Sequence, residues 1–150
     1  MNHPRRREVE RFIHVDSRDF DGLKKSSYNI IFGKHIPIQD YNNVIKLELK
    51  VLMSDKPVIE DYVIFKIKNV QGKVDSTTGI DDACTVCYFD TNVKKPIYFG
   101  GTEFEFNPPI AKLSKLQVDI VKRNGDFCTI SSEVSQSFLL KITYIEGNLY

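Results

Sequence analysis

The chain has 150 residues, 41% hydrophobic and 27% charged, with a formal net charge of +1. That length suits one domain burying roughly 70% of the surface of its unfolded chain, and the composition speaks against both global disorder and a membrane protein. A charge this close to zero rules out the overall basic field that drives non-specific nucleic-acid binding, so nucleic acid is not an expected partner.

In chain order, residues 1–25 read as an N-terminal arm and 26–150 as the single folded domain. The arm carries Arg5-Arg6-Arg7, a short strand at Val9 to Val15 and a polar turn from Asp16 to Gly22. Met1 to Arg11 holds four arginines and two glutamates with one aliphatic residue, Val9. No secretory signal is expected there, and the protein is expected to stay inside the cell that makes it. The longest apolar runs, Tyr28 to Phe32 and Tyr62 to Ile67, are far shorter than the ~20 residues that cross a bilayer.

Beyond the arm the dominant period is two, which marks strands. Tyr28 to Phe32 is the first. Between Asn43 and Met53, the residues Ile45, Leu47, Leu49, Val51 and Met53 alternate with Lys46, Glu48 and Lys50, which predicts a half-buried strand with the odd-numbered set inward. Tyr62 to Ile67 and Ala83 to Phe89 predict more fully buried strands, because β-branched and aromatic residues occupy both faces. From Ile97 to Phe106 the apolar phase slips across Gly100-Gly101, which predicts a bulge. Leu116, Val118 and Ile120 form another inward set, closed by the turn dipeptide Asn124-Gly125; a three-residue loop with Ile120 opposite Ile130 is the preferred register. Ile110, Leu113, Leu116 and Ile120 are also spaced three or four apart, which allows a short helical turn between Pro109 and Lys115. Phe138, Leu140, Ile142 and Tyr144 predict a long closing strand. Turn-rich segments such as Ser54 to Pro57, Asp75 to Asp82 and Asn107 to Pro109 separate about eight strands, the pattern of an antiparallel sandwich or barrel.

Residues that carry chemistry are sparse. Cys84 and Cys87 form a C-x-x-C without the second ligand pair that zinc needs, and strand geometry would point them to opposite faces; they read as small buried hydrophobes. With three cysteines in all, including Cys128, reduced thiols are expected. His3, His14 and His35 are scattered. Asp75, Asp81 and Asp82 lack the spacing of a calcium loop. Phosphate loops and nucleophile elbows are absent from the sequence. No catalytic residue, cofactor, metal or small-molecule substrate is therefore expected, and the protein does not read as an enzyme. The arginine triplet suits an acidic protein surface better than nucleic acid.

Two segments carry a resemblance. The run Arg11-Phe12-Ile13-His14-Val15-Asp16-Ser17-Arg18-Asp19 resembles the "F-I-x-V-D-S-R-D" signature of capsid-associated proteins from large double-stranded DNA viruses of eukaryotes. Asn107-Pro108-Pro109-Ile110, Leu113-Ser114-Lys115-Leu116, Asn124-Gly125 and Ser137-Phe138-Leu139-Leu140-Lys141-Ile142 are similar, in that order, to the C-terminal half of the same proteins. Phe20 to Lys25 replaces the Pro-Asn turn common in that family.

The resemblance implies an all-β fold, a single eight-stranded antiparallel jelly-roll sandwich with an N-terminal arm, and a structural role in a virion. One jelly roll in a chain of this size suits the penton, a homo-pentamer at the icosahedral five-fold vertex, in contact with major and minor capsid proteins. A minor capsid protein beneath the shell and a carbohydrate-binding jelly roll are the alternatives. The implied assembly contacts are Arg5, Arg6, Arg7, Phe12, Ile13, Asp16, Arg18 and Asp19, with Arg18 expected to grip a carboxylate in two-pronged fashion and lock the arm onto a neighbour.

Overall fold

The alternating stretches pair as strands in the computed structural model, which describes residues 7–20, 25–55, 60–70, 74–80, 83–89, 97–99, 103–128 and 135–146. These include β1 (Arg7–Asp16), β2 (Ser27–Ile31), β3 (Tyr41–Ser54), β4 (Tyr62–Ile67), β5 (Thr85–Tyr88), β6 (Ile97–Phe99), β7 (Glu103–Leu113), β8 (Lys115–Val121) and β9 (Gln136–Glu146). One sheet runs β1-β9-β3-β6, with β7 also on β3; the other runs β2-β8-β4-β5, and all the strand pairs are antiparallel. Because β6 and β7 follow one another along the same edge of β3, each sheet has four strand positions. The protein is an all-β, eight-position antiparallel sandwich.

Apolar side chains from both sheets meet between them. Ile13, Val15, Leu47, Leu49, Phe138 and Leu140 come from one side, and Tyr28, Ile30, Phe65, Leu116, Val118 and Ile120 from the other. Two edge-on ring contacts cross this layer, Tyr28 with Phe138 at 5.4 Å and Phe65 with Phe138 at 5.3 Å, and Phe20 adds a third against Tyr28 at 5.5 Å. A smaller cluster of Ile64, Ala83 and Val121 lies against Val74, Ile80 and Phe127. It buries apolar side chains on both faces of β8.

Two features of β3 depart from strict alternation. Its buried residues are Tyr41, Val44, Leu47, Leu49, Leu52 and Ser54, so Ile45, Val51 and Met53 do not belong to the inward set expected for them. The pairing with β9 shifts register between Val44 and Lys46 and again between Leu49 and Val51. Each shift inserts one residue and turns the following side chains to the other face.

On the other edge of β3, the three steps from Val51 to Glu48 face the four steps from Phe99 to Glu103. The bulge expected at Gly100-Gly101 lies outside the described residues. No helical turn interrupts Pro109 to Lys115: β7 continues to Leu113 and β8 starts at Lys115. At the hairpin, Val121 pairs with Phe127 and the Lys122 N–H donates to the Asp126 carbonyl at 2.8 Å. A three-residue loop forms as expected, but Ile120 lies opposite Cys128, whose N–H donates to the Ile120 carbonyl at 3.2 Å. Ile130 is outside the described residues. Gly125 takes the positive φ of +89° that closes such a loop.

The segment read as an arm is, in its described part, a strand of the sheet. Ten consecutive residues from Arg7 to Asp16 pair with β9, and Ile13 and Val15 enter the core. Charged side chains at Arg7, Glu8, Glu10 and Arg11 hide this strand from a reading based on hydrophobicity.

Candidate functional site

The signature residues converge where β1 ends. A 3₁₀ turn, Ser17–Asp19, follows β1, with Asp16 as its N-cap. The Asp16 carboxylate accepts the Arg18 backbone N–H at 2.9 Å, and it also takes the guanidinium through Nε at 3.0 Å and Nη2 at 2.6 Å. These bonds to Arg18 hold the Asp16 carboxyl below the usual carboxylate range. The two-pronged pair that the sequence suggested therefore forms, but its carboxylate is two residues away in the same turn. Arg18 fastens its own corner.

Ser17 points the other way. It is buried, and its Oγ accepts the backbone N–H of Gln136 at 2.9 Å, tying the end of β1 to the start of β9. The Gln136 side chain carries the link to the second sheet, because its Oε1 accepts the Tyr28 hydroxyl at 2.8 Å and the Ser26 hydroxyl at 3.0 Å. Burial pushes the Tyr28 hydroxyl far above its ordinary pKa, which keeps it a donor. Ser26 also donates its N–H to the Cys128 carbonyl at 2.9 Å. Four chain segments are joined through this buried polar cluster. Sequence reading missed Gln136, although a polar residue in phase with Phe138, Leu140 and Ile142 was its visible signal.

Beside the turn lies a cavity of about 230 Å³, with His14, Asp16, Asp19, Phe20, Lys34 and His35 among its lining residues. The His35 ring stacks on Phe20 at 4.8 Å, and its Nδ1 accepts the Ile31 N–H at 3.0 Å.

The other expected contact residues are dispersed. Arg7 pairs with Glu146, its cross-strand neighbour, at 3.2 Å. Phe12 projects from the outer face with 54% exposure, whereas Ile13 is in the core. Asp19 is exposed. Arg5 and Arg6 lie outside the described residues.

On the outer face of the five-stranded sheet, Lys141 reaches Glu48 at 3.3 Å and Glu10 at 3.5 Å, and Lys50 reaches Glu48 at 3.1 Å. Burial alone would raise the Glu48 pKa, but the bonds from Lys50 and Lys141 outweigh it and bring the carboxyl below its ordinary value.

The thiols belong to the interior. Cys84 and Cys87 both enter the main core, and Cys128 packs against it. The opposite-face expectation fails because Cys84 precedes the strand, which begins at Thr85. Burial raises the Cys84 and Cys128 thiols to about 11, and Cys87 shifts upward too. None of the three is activated as a thiolate. Among the described residues, no group of three or more His, Cys, Asp or Glu side chains is placed to hold a metal ion, and no helix is long and apolar enough to cross a membrane. Asp81, Asp82 and His3 are outside the described residues.

A scan against protein-family models and a search of curated proteins each return no match for this chain.

Proposed function

We propose that this chain is a viral capsid subunit with a single jelly-roll fold, and that it forms the pentameric vertex capsomer. The observation that carries the reading is strand order. With β6 and β7 counted as one position, the first, eighth, third and sixth strands form one sheet, and the second, seventh, fourth and fifth form the other. This interleaving supports the jelly-roll reading, an architecture used by capsid and lectin domains. The signature residues add support, since Asp16, Ser17 and Arg18 build the corner that joins β1 to β9 and, through Gln136, to β2.

In this role the protein acts through shape. Five copies meeting head to tail close a ring and leave no unsatisfied contact surface. Its partners are further copies of itself and the neighbouring major and minor capsid proteins, and its location is the virion vertex. A minor capsid protein beneath the shell would share the signature without forming rings. Electron microscopy of the purified chain, with its mass measured by light scattering, separates the two. Five-membered rings are the expected result, and a chain that stays monomeric at high concentration overturns the proposal.

A second reading, carbohydrate recognition, draws on one observation: Tyr88 is 68% exposed and lies beside Tyr62, with ring centroids 5.8 Å apart. Aromatic faces of this kind can stack on sugar rings. Glycan-array binding that disappears in a Tyr88→Ala variant would favour it over the capsid role.

A further inference from the structure

The four sheet edges of this sandwich are not equally protected. An exposed edge offers unpaired backbone N–H and C=O groups, and proteins normally blunt it by keeping it short or adding bulges or prolines. The β2 edge has five residues and the β5 edge four. On the β6–β7 edge, β6 has three residues, and along β7 the two steps from Val44 to Lys46 face five steps from Glu105 to Ile110, a stretch containing Pro108 and Pro109. In contrast, β1 has ten residues, ten consecutive pairs with β9, no register shift and no proline. Among the described residues β9 is its only partner. Its most exposed apolar side chain, Phe12 at 54%, lies near the middle.

We propose that two copies of this chain pair through β1, edge to edge and antiparallel, about a two-fold axis at Phe12. The charge pattern selects both the occupant and the register. Directly opposed like charges destabilise an antiparallel pair, so each symmetric register can be judged by what it juxtaposes. Centring on Val9 sets Arg7 against the partner's Arg11 and Glu8 against the partner's Glu10. Centring on Glu10 or Arg11 sets that charge against its own copy, and centring on Ile13 sets Glu10 against the partner's Asp16 and also parts the two exposed rings, each Phe12 then facing the partner's His14. Centring on Phe12 stacks the two exposed rings, sets Glu10 against the partner's His14 and Val9 against the partner's Val15, and leaves Arg11 beside the partner's Ile13. The one like-charge pair left, Glu8 with the partner's Asp16, is softened because Arg18 already neutralises Asp16 at 2.6 Å. Side chains keep their faces under this rotation, so the outer faces and the cores of the two copies run on continuously.

This contact goes beyond the ring reading and does not depend on it. The test uses the full chain and site-directed cross-linking with a mild copper–phenanthroline oxidant. In Phe12→Cys the two introduced thiols face one another on the axis, so a covalent dimer linked through position 12 is expected. In Glu8→Cys they are far apart, and little linkage is expected. Phe12→Lys should keep the wild-type melting curve, because the ring is largely exposed, while sedimentation shows dimer dissociation raised by roughly tenfold or more. Absent linkage in Phe12→Cys, or equal linkage in both cysteine variants, overturns the proposal. Microscopy of the same samples scores rings separately. Rings without the cross-link overturn only the β1 contact, and cross-linked dimers without rings overturn only the vertex role.

Discussion

Ser17→Ala is the sharpest test of how the signature turn works. Its Oγ is the acceptor for the backbone N–H of Gln136, and both residues are buried. Alanine removes that acceptor in a place water does not readily reach, so the N–H is left without a partner. Such an orphan costs about 1–3 kcal/mol, compared with about 1 kcal/mol for an ordinary hydrogen bond. A loss of about 2 kcal/mol in a domain of this size lowers the melting midpoint by roughly 4–8 °C. Urea unfolding followed by far-ultraviolet circular dichroism measures it, since the chain has no tryptophan to report fluorescence. Tyr28→Phe should cost less, about 1 kcal/mol, because the Gln136 Oε1 retains the Ser26 hydroxyl. Both changes act through Gln136, so the double variant should depart from additivity by about 0.5 kcal/mol or more. A Ser17→Ala protein as stable as wild type, or an additive double variant, would refute the idea that this cluster holds the corner together.

Three further outcomes follow from the same geometry. Asp16 has a depressed pKa in the folded state, so its contribution is present above its unfolded value and is lost as pH falls below about 4; the stability gap between wild type and Asp16→Asn should shrink on acidification from pH 7 to pH 2, and a gap independent of pH contradicts the assignment. Lys141→Met removes a cation shared by Glu10 and Glu48 and leaves the mostly covered Glu48 with Lys50 alone; a loss of about 1–2 kcal/mol is expected in thermal melts, partly recovered when Glu48→Gln is added. With maleimide at pH 8, Cys128 should label slowly and Cys84 and Cys87 only after denaturation, because all three thiols are held protonated by burial; rapid native labelling of Cys87 would be the contrary result.

Strand positions were legible wherever the chain repeats its period without interruption. Tyr62 to Ile67 is a strand within those bounds, and Phe138, Leu140 and Ile142 are buried as their spacing predicts. The facing of β3 was only half legible. Leu47 and Leu49 point inward as expected, but bulges on either side reverse the phase, and a bulge is set by the partner strand as much as by local residues. β1 was readable as a strand and unreadable as part of the sheet, since its first five residues carry four charges and its apolar pair Ile13 and Val15 comes at the far end. At the site, the sequence marked Arg18 as one half of a two-pronged pair but not its partner, because a turn that lets residues i and i+2 meet leaves no periodic trace. Gln136 was missed because one polar residue at the head of an apolar phase resembles a strand end.

The structure also changes what the signature can be asked to explain. Asp16 and Arg18 satisfy one another, and Ser17 satisfies Gln136, so most of the polar capacity of this turn is spent inside its own chain. Its resemblance to a capsid signature is then a resemblance in how the first strand is fastened, and in the proposed assembly contact between subunits would draw on other groups. Of the singled-out residues that are described, Ile13 is committed to the core, Arg7 to Glu146 and Asp16 and Arg18 to one another, which leaves Phe12 and Asp19. Phe12 is the one whose exposure runs against solvation, and it sits on the one edge that is long and unblunted among the described residues. A strand pinned at its end by a buried serine and along its length by β9 is a rigid template. Rigidity of that kind lowers the ordering cost of adding another strand beside it. The Ser17→Ala and Phe12→Lys variants therefore should separate: the first lowers stability with the edge chemistry intact, and the second alters association with the fold intact.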